Sequence, residues 1–269
     1  MKILVIGGGN MGMTYAQSIL RSKIANNKDM MILEKFPKKA EELAKQEIGT
    51  VYGNPEECLS KADLIILAVK PQDISLLFEN IKPYVDSQQV FISIMAGVTI
   101  KTISSALGVK KVIRAMPNLP AQVGMGMTAF TSTDDVTRIE LVMVQNLLNT
   151  TGKTVYVETE KLIDATTAIS GSGPAYVYYF MDAMMTSAKQ LGFSNSEAEL
   201  LVSQTFKGAV DLYNKSDLTC EEWISKVSSR GGTTEAAIKS YRDNKVHKDI
   251  IDGAKAAFNR ALELGKGKA

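Results

Sequence analysis

The chain has 269 residues, of which 45% are hydrophobic and 22% charged, and 31 Lys plus Arg nearly balance 29 Asp plus Glu for a formal net charge of +2. That composition excludes disordered, collagen-like and low-complexity chains, and gives no general electrostatic reason to expect nucleic acid or an anionic membrane as partner. The length suits two domains of ordinary size.

Residues 2–6 read as a first strand, which runs into Gly7-Gly8-Gly9-Asn10-Met11-Gly12 and then a helical pattern over 11–21. Further strands are expected at 30–34, 63–69, 90–95, 111–115 and 127–131, with helices at 37–46, 72–80 and 134–148. Strand and helix in alternation predict an α/β fold: a Rossmann-like, doubly wound, mostly parallel sheet with helices on both faces. A last strand-like run at 153–157 is followed only by helical stretches, at 160–169, 174–191, 195–213, 220–226, 234–243 and 246–264. The expected organisation is a dinucleotide-binding domain over 1–158 and an all-helical domain over 159–269.

No apolar run reaches the about 18 residues of a membrane span, and the apolar run after Lys2 is too short for a signal peptide. Cys58 and Cys220 lie far apart with no C-x-x-C spacing, which predicts neither a disulfide framework nor a cysteine metal site and fits a reducing, cytoplasmic compartment. The sole histidine, His247, sits between Lys245 and Lys248 and reads as solvated, so no metal site is expected and histidine catalysis has little to build on. Chemistry borrowed from a cofactor is the better expectation.

The G-x-G-x-x-G pattern of residues 7–12 is weak alone, since a flexible glycine turn would also fit. A strand before it and a helix after it supply the context that a pyrophosphate cradle needs. Gly7 then makes the tight turn, Gly9 lets the backbone approach the phosphates, and Gly12 lets the helix pack closely on the strand. The helix amides over Asn10 and Met11, with the positive end of the dipole, face the anion. Glu34 closes the second strand about 22 positions after Gly12, where an acid commonly takes the adenine ribose hydroxyls. That acid leans toward NAD, whereas Lys35, Lys38 and Lys39 could neutralise a 2′-phosphate, so NADH and NADPH both stay open.

Four further stretches add to the glycine loop: Ala68-Val69-Lys70-Pro71, Arg114 to Pro120 (Arg-Ala-Met-Pro-Asn-Leu-Pro), Ser170-Gly171-Ser172-Gly173-Pro174-Ala175-Tyr176, and Ser228-Ser229-Arg230-Gly231-Gly232-Thr233-Thr234. Their order and spacing resemble the pyrroline-5-carboxylate reductase family over essentially the whole chain. The resemblance implies NADPH- or NADH-dependent reduction of a cyclic imine to L-proline, the closing step of proline biosynthesis. It also implies a helical domain that interlocks as a homodimer and in some members assembles further into decamers.

On the residues themselves, Pro71 ends a buried strand at the carboxyl edge of the sheet, where a cofactor lies. The resemblance gives Ala68, Val69, Lys70 and Pro71 the nicotinamide-ribose side and Asn54 the adenosine side, although Asn54 also reads as a turn residue and helix N-cap. Two prolines around Asn118 restrain a segment, with Met116, that could hold a nicotinamide ring and its carboxamide. Ser172 reads as the N-cap of the next helix, with Pro174 in its first turn.

The amide- and hydroxyl-rich stretch from Ser229 to Thr234 suits a small carboxylate, although a capped loop between helices would look similar. The resemblance assigns it the substrate carboxylate, through Ser229 and the amides of Gly231, Gly232 and Thr233, and sets Thr234 close to the ring nitrogen as the catalytic hydroxyl. Arg230 departs from the family's usual proline before the glycines. It either loosens the loop or offers a guanidinium to the carboxylate.

Reducing a protonated imine asks mainly for orientation, so the lack of a histidine base is no objection. A 3-hydroxyacid dehydrogenase would want a helix lysine after residues 170–174, and none occurs before Lys189. A ketol-acid reductoisomerase would want clustered carboxylates for magnesium. The remaining alternatives are a reductase of a related cyclic imine and a non-catalytic NAD(P)-sensing regulator, which the fold alone does not exclude.

Overall fold

A computed structural model describes residues 1–265. Eight strands form one sheet: β1 (Ile3–Ile6), β2 (Met30–Leu33), β3 (Thr50–Tyr52), β4 (Leu64–Leu67), β5 (Val90–Ser93), β6 (Val112–Met116), β7 (Gly126–Ser132) and β8 (Gly152–Tyr156). Their order is β3-β2-β1-β4-β5-β6-β7-β8, with every neighbouring pair parallel except β6 and β7. The mostly parallel, doubly wound sheet therefore stands as the alternation predicts. Its chain order reverses between β1 and β4, and a ligand crevice opens at such a switch point beyond the carboxyl ends of the strands.

The strands carry side chains to both faces in the period of two that a covered sheet requires. Ile3 and Val5 join Tyr15, Ile19, Ile32, Ile66 and Leu147 in one buried cluster, whereas Leu4 and Ile6 join Leu33, Leu67, Phe78, Phe91 and Ile103 in the other. The helices that supply these side chains are α1 (Asn10–Arg21), α2 (Pro37–Ala44), α3 (Ile74–Ile81), α4 (Ile100–Leu107) and α5 (Arg138–Leu148).

Three elements differ from the sequence expectation. Strand β3 has three residues on the sheet edge, too few to show an alternation. Helix α4 contains Thr102, Ser104 and Ser105, poor helix formers, and is defined instead by its ends: Thr99 accepts the Thr102 amide, and Gly108 closes it at φ +74°. Helix α5 starts at Arg138, four residues later than the periodicity implies, because Thr137 and Glu140 form a capping box.

After β8 the described chain is helical: α6 (Glu160–Thr166), a π-helical turn at Thr167–Gly171, α7 (Gly173–Gln190), α8 (Asn195–Tyr213), α9 (Cys220–Val227), α10 (Thr233–Asp243) and α11 (Val246–Gly265). Two compact units result, one of Met1–Ser172 with the chain from Ala257, the other of Gly173–Ala256. The break falls beyond the expected boundary after Glu158, because α6 and the π-turn are fastened to the sheet. The buried Arg114 guanidinium on β6 donates to Glu160 Oε1 at 2.8 Å and to Asp164 Oδ1 at 2.6 Å. Glu160 Oε1 also accepts the Ile100 amide at the start of α4.

In the second unit α7 packs on α8, yet among the described residues only Ala198 and Val202 are buried apolar side chains. Val177, Tyr179, Leu191, Leu200, Val210 and Leu212 are exposed.

Candidate functional site

At the switch point the glycine loop closes over the end of β1. The Gly7 amide donates to Leu33 O, and the Ala68 amide, just past β4, donates to Ile6 O. Each glycine answers a different constraint. Gly7 sits at φ +101°, and a Cβ there would lie 2.8 Å from Ala68 O. A Cβ on Gly12 would lie 2.2 Å from Gly7 O, whereas one on Gly9 would meet nothing within 4 Å. The crowding at Gly7 and Gly12 brings helix and strand together, and the open face at Gly9 leaves room for a ligand. Gly9 is also the N-cap of α1 with no side-chain cap, so the first amides of that helix, starting at Asn10 and Met11, are left for a ligand. The residues fit a dinucleotide.

A cavity of about 330 Å³ lies here, lined by Gly7, Gly9, Glu34, Lys35, Ala68, Val69 and Lys70 among others. It also takes in Phe36, Lys39, Gly53, Pro55 and Asp73, of which only Lys39 is among the lysines that the sequence sets near a 2′-phosphate. Gly8, Asn10, Met11, Gly12, Asn54 and Pro71 lie within three positions of lining residues in sequence but do not line it themselves.

Glu34 does not simply point at the cavity. It is 5% exposed, and its Oε2 accepts the Gly8 amide and Lys39 Nζ, each at 3.1 Å, while Oε1 accepts the Phe36 amide at 3.1 Å. Lys35 turns to Asp73 Oδ1 at 2.9 Å. Asn54 does not cap with its side chain; its Nδ2 donates to Glu57 Oε1.

Asn118 is committed to the protein at both ends of its carboxamide. Oδ1 accepts the Met127 amide at 2.9 Å, and Nδ2 donates to Ser170 O in the π-turn at 3.0 Å. The Met116 tip reaches the same turn, since a Cβ on Gly171 would lie 2.9 Å from Met116 Cε. This pair therefore holds the segment after β6 in place, and one Nδ2 hydrogen and one Oδ1 lone pair are left for a ligand. Ser172 is not an N-cap: its φ of −83° and ψ of −18° are helical, because the π-turn leads straight into it. A π-turn gives no periodic signal, which is why sequence reasoning passes over it.

The stretch Ser229–Thr234 forms a tight loop into α10, with Gly232 as an N-cap lacking a side-chain cap. Gly231 takes φ +71°, and its amide donates to Glu235 Oε2 at 2.7 Å. The Gly232 amide donates to Ser229 O at 2.9 Å, and a Cβ on Gly232 would lie 2.4 Å from Ser229 Oγ. Two of the three amides expected to grip a carboxylate are thus engaged within the loop. The Thr233 amide, at the first helical position, has no partner among the described residues. Glu235 is the residue that sequence reasoning missed, although its position three residues after the N-cap is where a carboxylate reaches back to loop amides. Arg230 is exposed and makes no ion pair among the described residues.

These features define a dinucleotide-binding protein, and comparison with known proteins narrows the class. Residues 160–264 match the family described as pyrroline-5-carboxylate reductase dimerisation, and residues 2–97 match the NADP oxidoreductase coenzyme F420-dependent family. Pyrroline-5-carboxylate reductase 2 of Bacillus subtilis is 34% identical over 98% of this chain and 95% of its own. Among solved structures, the NADP-bound pyrroline carboxylate reductase of Plasmodium falciparum has a TM-score of 0.89 at 29% identity, covering 98% of both chains. The Coxiella burnetii pyrroline-5-carboxylate reductase has a TM-score of 0.89 at 30% identity with the same coverage. The chain belongs to the pyrroline-5-carboxylate reductase family and is an NAD(P)H-dependent oxidoreductase.

Proposed function

We propose that this chain reduces 1-pyrroline-5-carboxylate to L-proline, with the glycine loop serving the coenzyme and the loop before α10 serving the substrate. The full-length similarity to pyrroline-5-carboxylate reductases carries this reading, and the geometry of both loops supports it. NAD(P)H, held between the residue 7–12 loop and the ends of β2 and β4, supplies the hydride. The α1 amides around Asn10 and Met11 bind its pyrophosphate, Glu34 and Lys35 flank its adenosine end with Asn54, and Ala68, Val69, Lys70 and Pro71 border its ribose. Met116 and Asn118 fix the backbone beside the ring.

In the substrate loop, Gly231 and Gly232 give the chain its tight turn, and the Thr233 amide and Ser229 hydroxyl hold the carboxylate. The Thr234 hydroxyl, at the second helical position, hydrogen-bonds the imine nitrogen and holds its proton. Orientation and exclusion of water supply most of the rate, so no strong base is required. The exposed apolar side chains of the helical unit are covered in a homodimer, consistent with the dimerisation family that residues 160–264 match. A reducing cytoplasm accords with the two free cysteines. No helix among the described residues is long and apolar enough to cross a membrane.

The test is to supply pyrroline-5-carboxylate with NADPH and NADH in parallel and to quantify L-proline by mass spectrometry. Proline and oxidised coenzyme in equal amounts are expected. Coenzyme that binds but is not oxidised would contradict this reading and favour a related imine or a sensing role.

A further inference from the structure

We propose that Lys39 sets the coenzyme choice indirectly, by neutralising the buried Glu34 so that the adenosine end of the cavity tolerates a 2′-phosphate. The inference rests on the coenzyme site described above. An acid at the end of β2 ordinarily accepts the ribose hydroxyls and repels the phosphate of NADP. Glu34 occupies that position, yet its carboxylate is used otherwise. Of its roughly four acceptor directions, three are filled by the Gly8 amide, the Phe36 amide and the Lys39 ammonium. One direction on Oε1 remains for a ribose hydroxyl.

The same contacts decide the charge that a phosphate meets. Glu34 is 5% exposed, so its charge is poorly screened by water and is felt in the cavity unless a cation stands beside it. Lys39 Nζ stands 3.1 Å away and lines the same cavity. Lys35 also lines the cavity, but its ammonium is matched by Asp73 at 2.9 Å and does not offset Glu34. With Lys39 present the pair is neutral. Without it, a phosphate carrying about −1.5 to −2 charges would face a bare buried carboxylate.

The test is equilibrium titration of NADPH and NADH, followed by nucleotide fluorescence, against the parent chain and four variants. Lys39→Met, a substitution at a partly exposed position, is expected to weaken NADPH relative to NADH by about tenfold or more. Glu34→Gln in the same chain restores most of that loss, because the charge that Lys39 offsets is gone. Glu34→Gln alone moves the ratio toward NADPH, and Lys35→Met moves it by less than about threefold. An unchanged ratio in Lys39→Met would overturn the proposal. So would a loss that Glu34→Gln does not restore, since that result means the lysine binds the phosphate directly. A parent chain that binds neither nucleotide would overturn the coenzyme reading itself, and the proposal with it.

Discussion

The molecule builds the same device twice in different surroundings. In each unit a glycine loop enters a helix through an N-cap glycine without a side-chain cap, and a glutamate accepts a glycine amide: Gly8 to Glu34 at 3.1 Å, and Gly231 to Glu235 at 2.7 Å. The first loop is wedged between β1, β4 and α1, and its glutamate is buried. The second stands on the surface with an exposed glutamate and rests on contacts within itself. Packing therefore fixes the first loop before any ligand arrives, whereas a few local hydrogen bonds fix the second. Substitutions in the first should cost stability and coenzyme binding together, and substitutions in the second should cost substrate handling alone.

The largest effect is expected where the first unit holds its helices to the sheet. Arg114→Leu leaves Glu160 and Asp164 without their buried cation and should lower stability by about 3 kcal/mol in denaturant unfolding. A loss below about 1 kcal/mol would show that the network adds little to the rigidity of that unit. Gly12→Ala pushes a methyl to within 2.2 Å of a backbone oxygen, so α1 must shift. It should cost about 1–3 kcal/mol and weaken coenzyme binding, read by thermal melting with and without NADPH. Full affinity at parental stability would break the comparison.

The smallest change belongs to the exposed loop. Glu235→Ala removes one hydrogen bond to the Gly231 amide, a net contribution of about 0.5–1.5 kcal/mol, so KM for the imine should rise about 2- to 10-fold. The turnover number and the coenzyme affinity should hold. A fall in KM would mean instead that the Glu235 carboxylate competes with the substrate for the loop.

Much of the fold is legible in the sequence, for reasons that particular residues make plain. The buried strands β1, β2 and β4 are continuous apolar runs, and Ser194 with Glu197 and Thr219 with Glu222 mark the starts of α8 and α9 as capping boxes. What escapes is short or set by tertiary contact: β3, α4, and the π-turn whose Ser170 carbonyl receives Asn118. The cavity-forming role of the residue 7–12 loop could be argued from glycine spacing. The inward turn of Glu34 could not, because nothing in a sequence says which partners a buried carboxylate takes. Glu235 had a signal in its place three residues after the Gly232 N-cap, but Gly232 has no side chain to complete a capping box, so its carboxylate takes an amide that the sequence left open for substrate.

The division of labour between the two loops is tested most directly on Thr234→Ala. Steady-state kinetics with pyrroline-5-carboxylate, paired with coenzyme titration of the same preparation, should show turnover lower by about 10- to 100-fold with coenzyme affinity unchanged. Unaltered turnover, or coenzyme affinity lost in parallel, would contradict the assignment of the surface loop to the substrate.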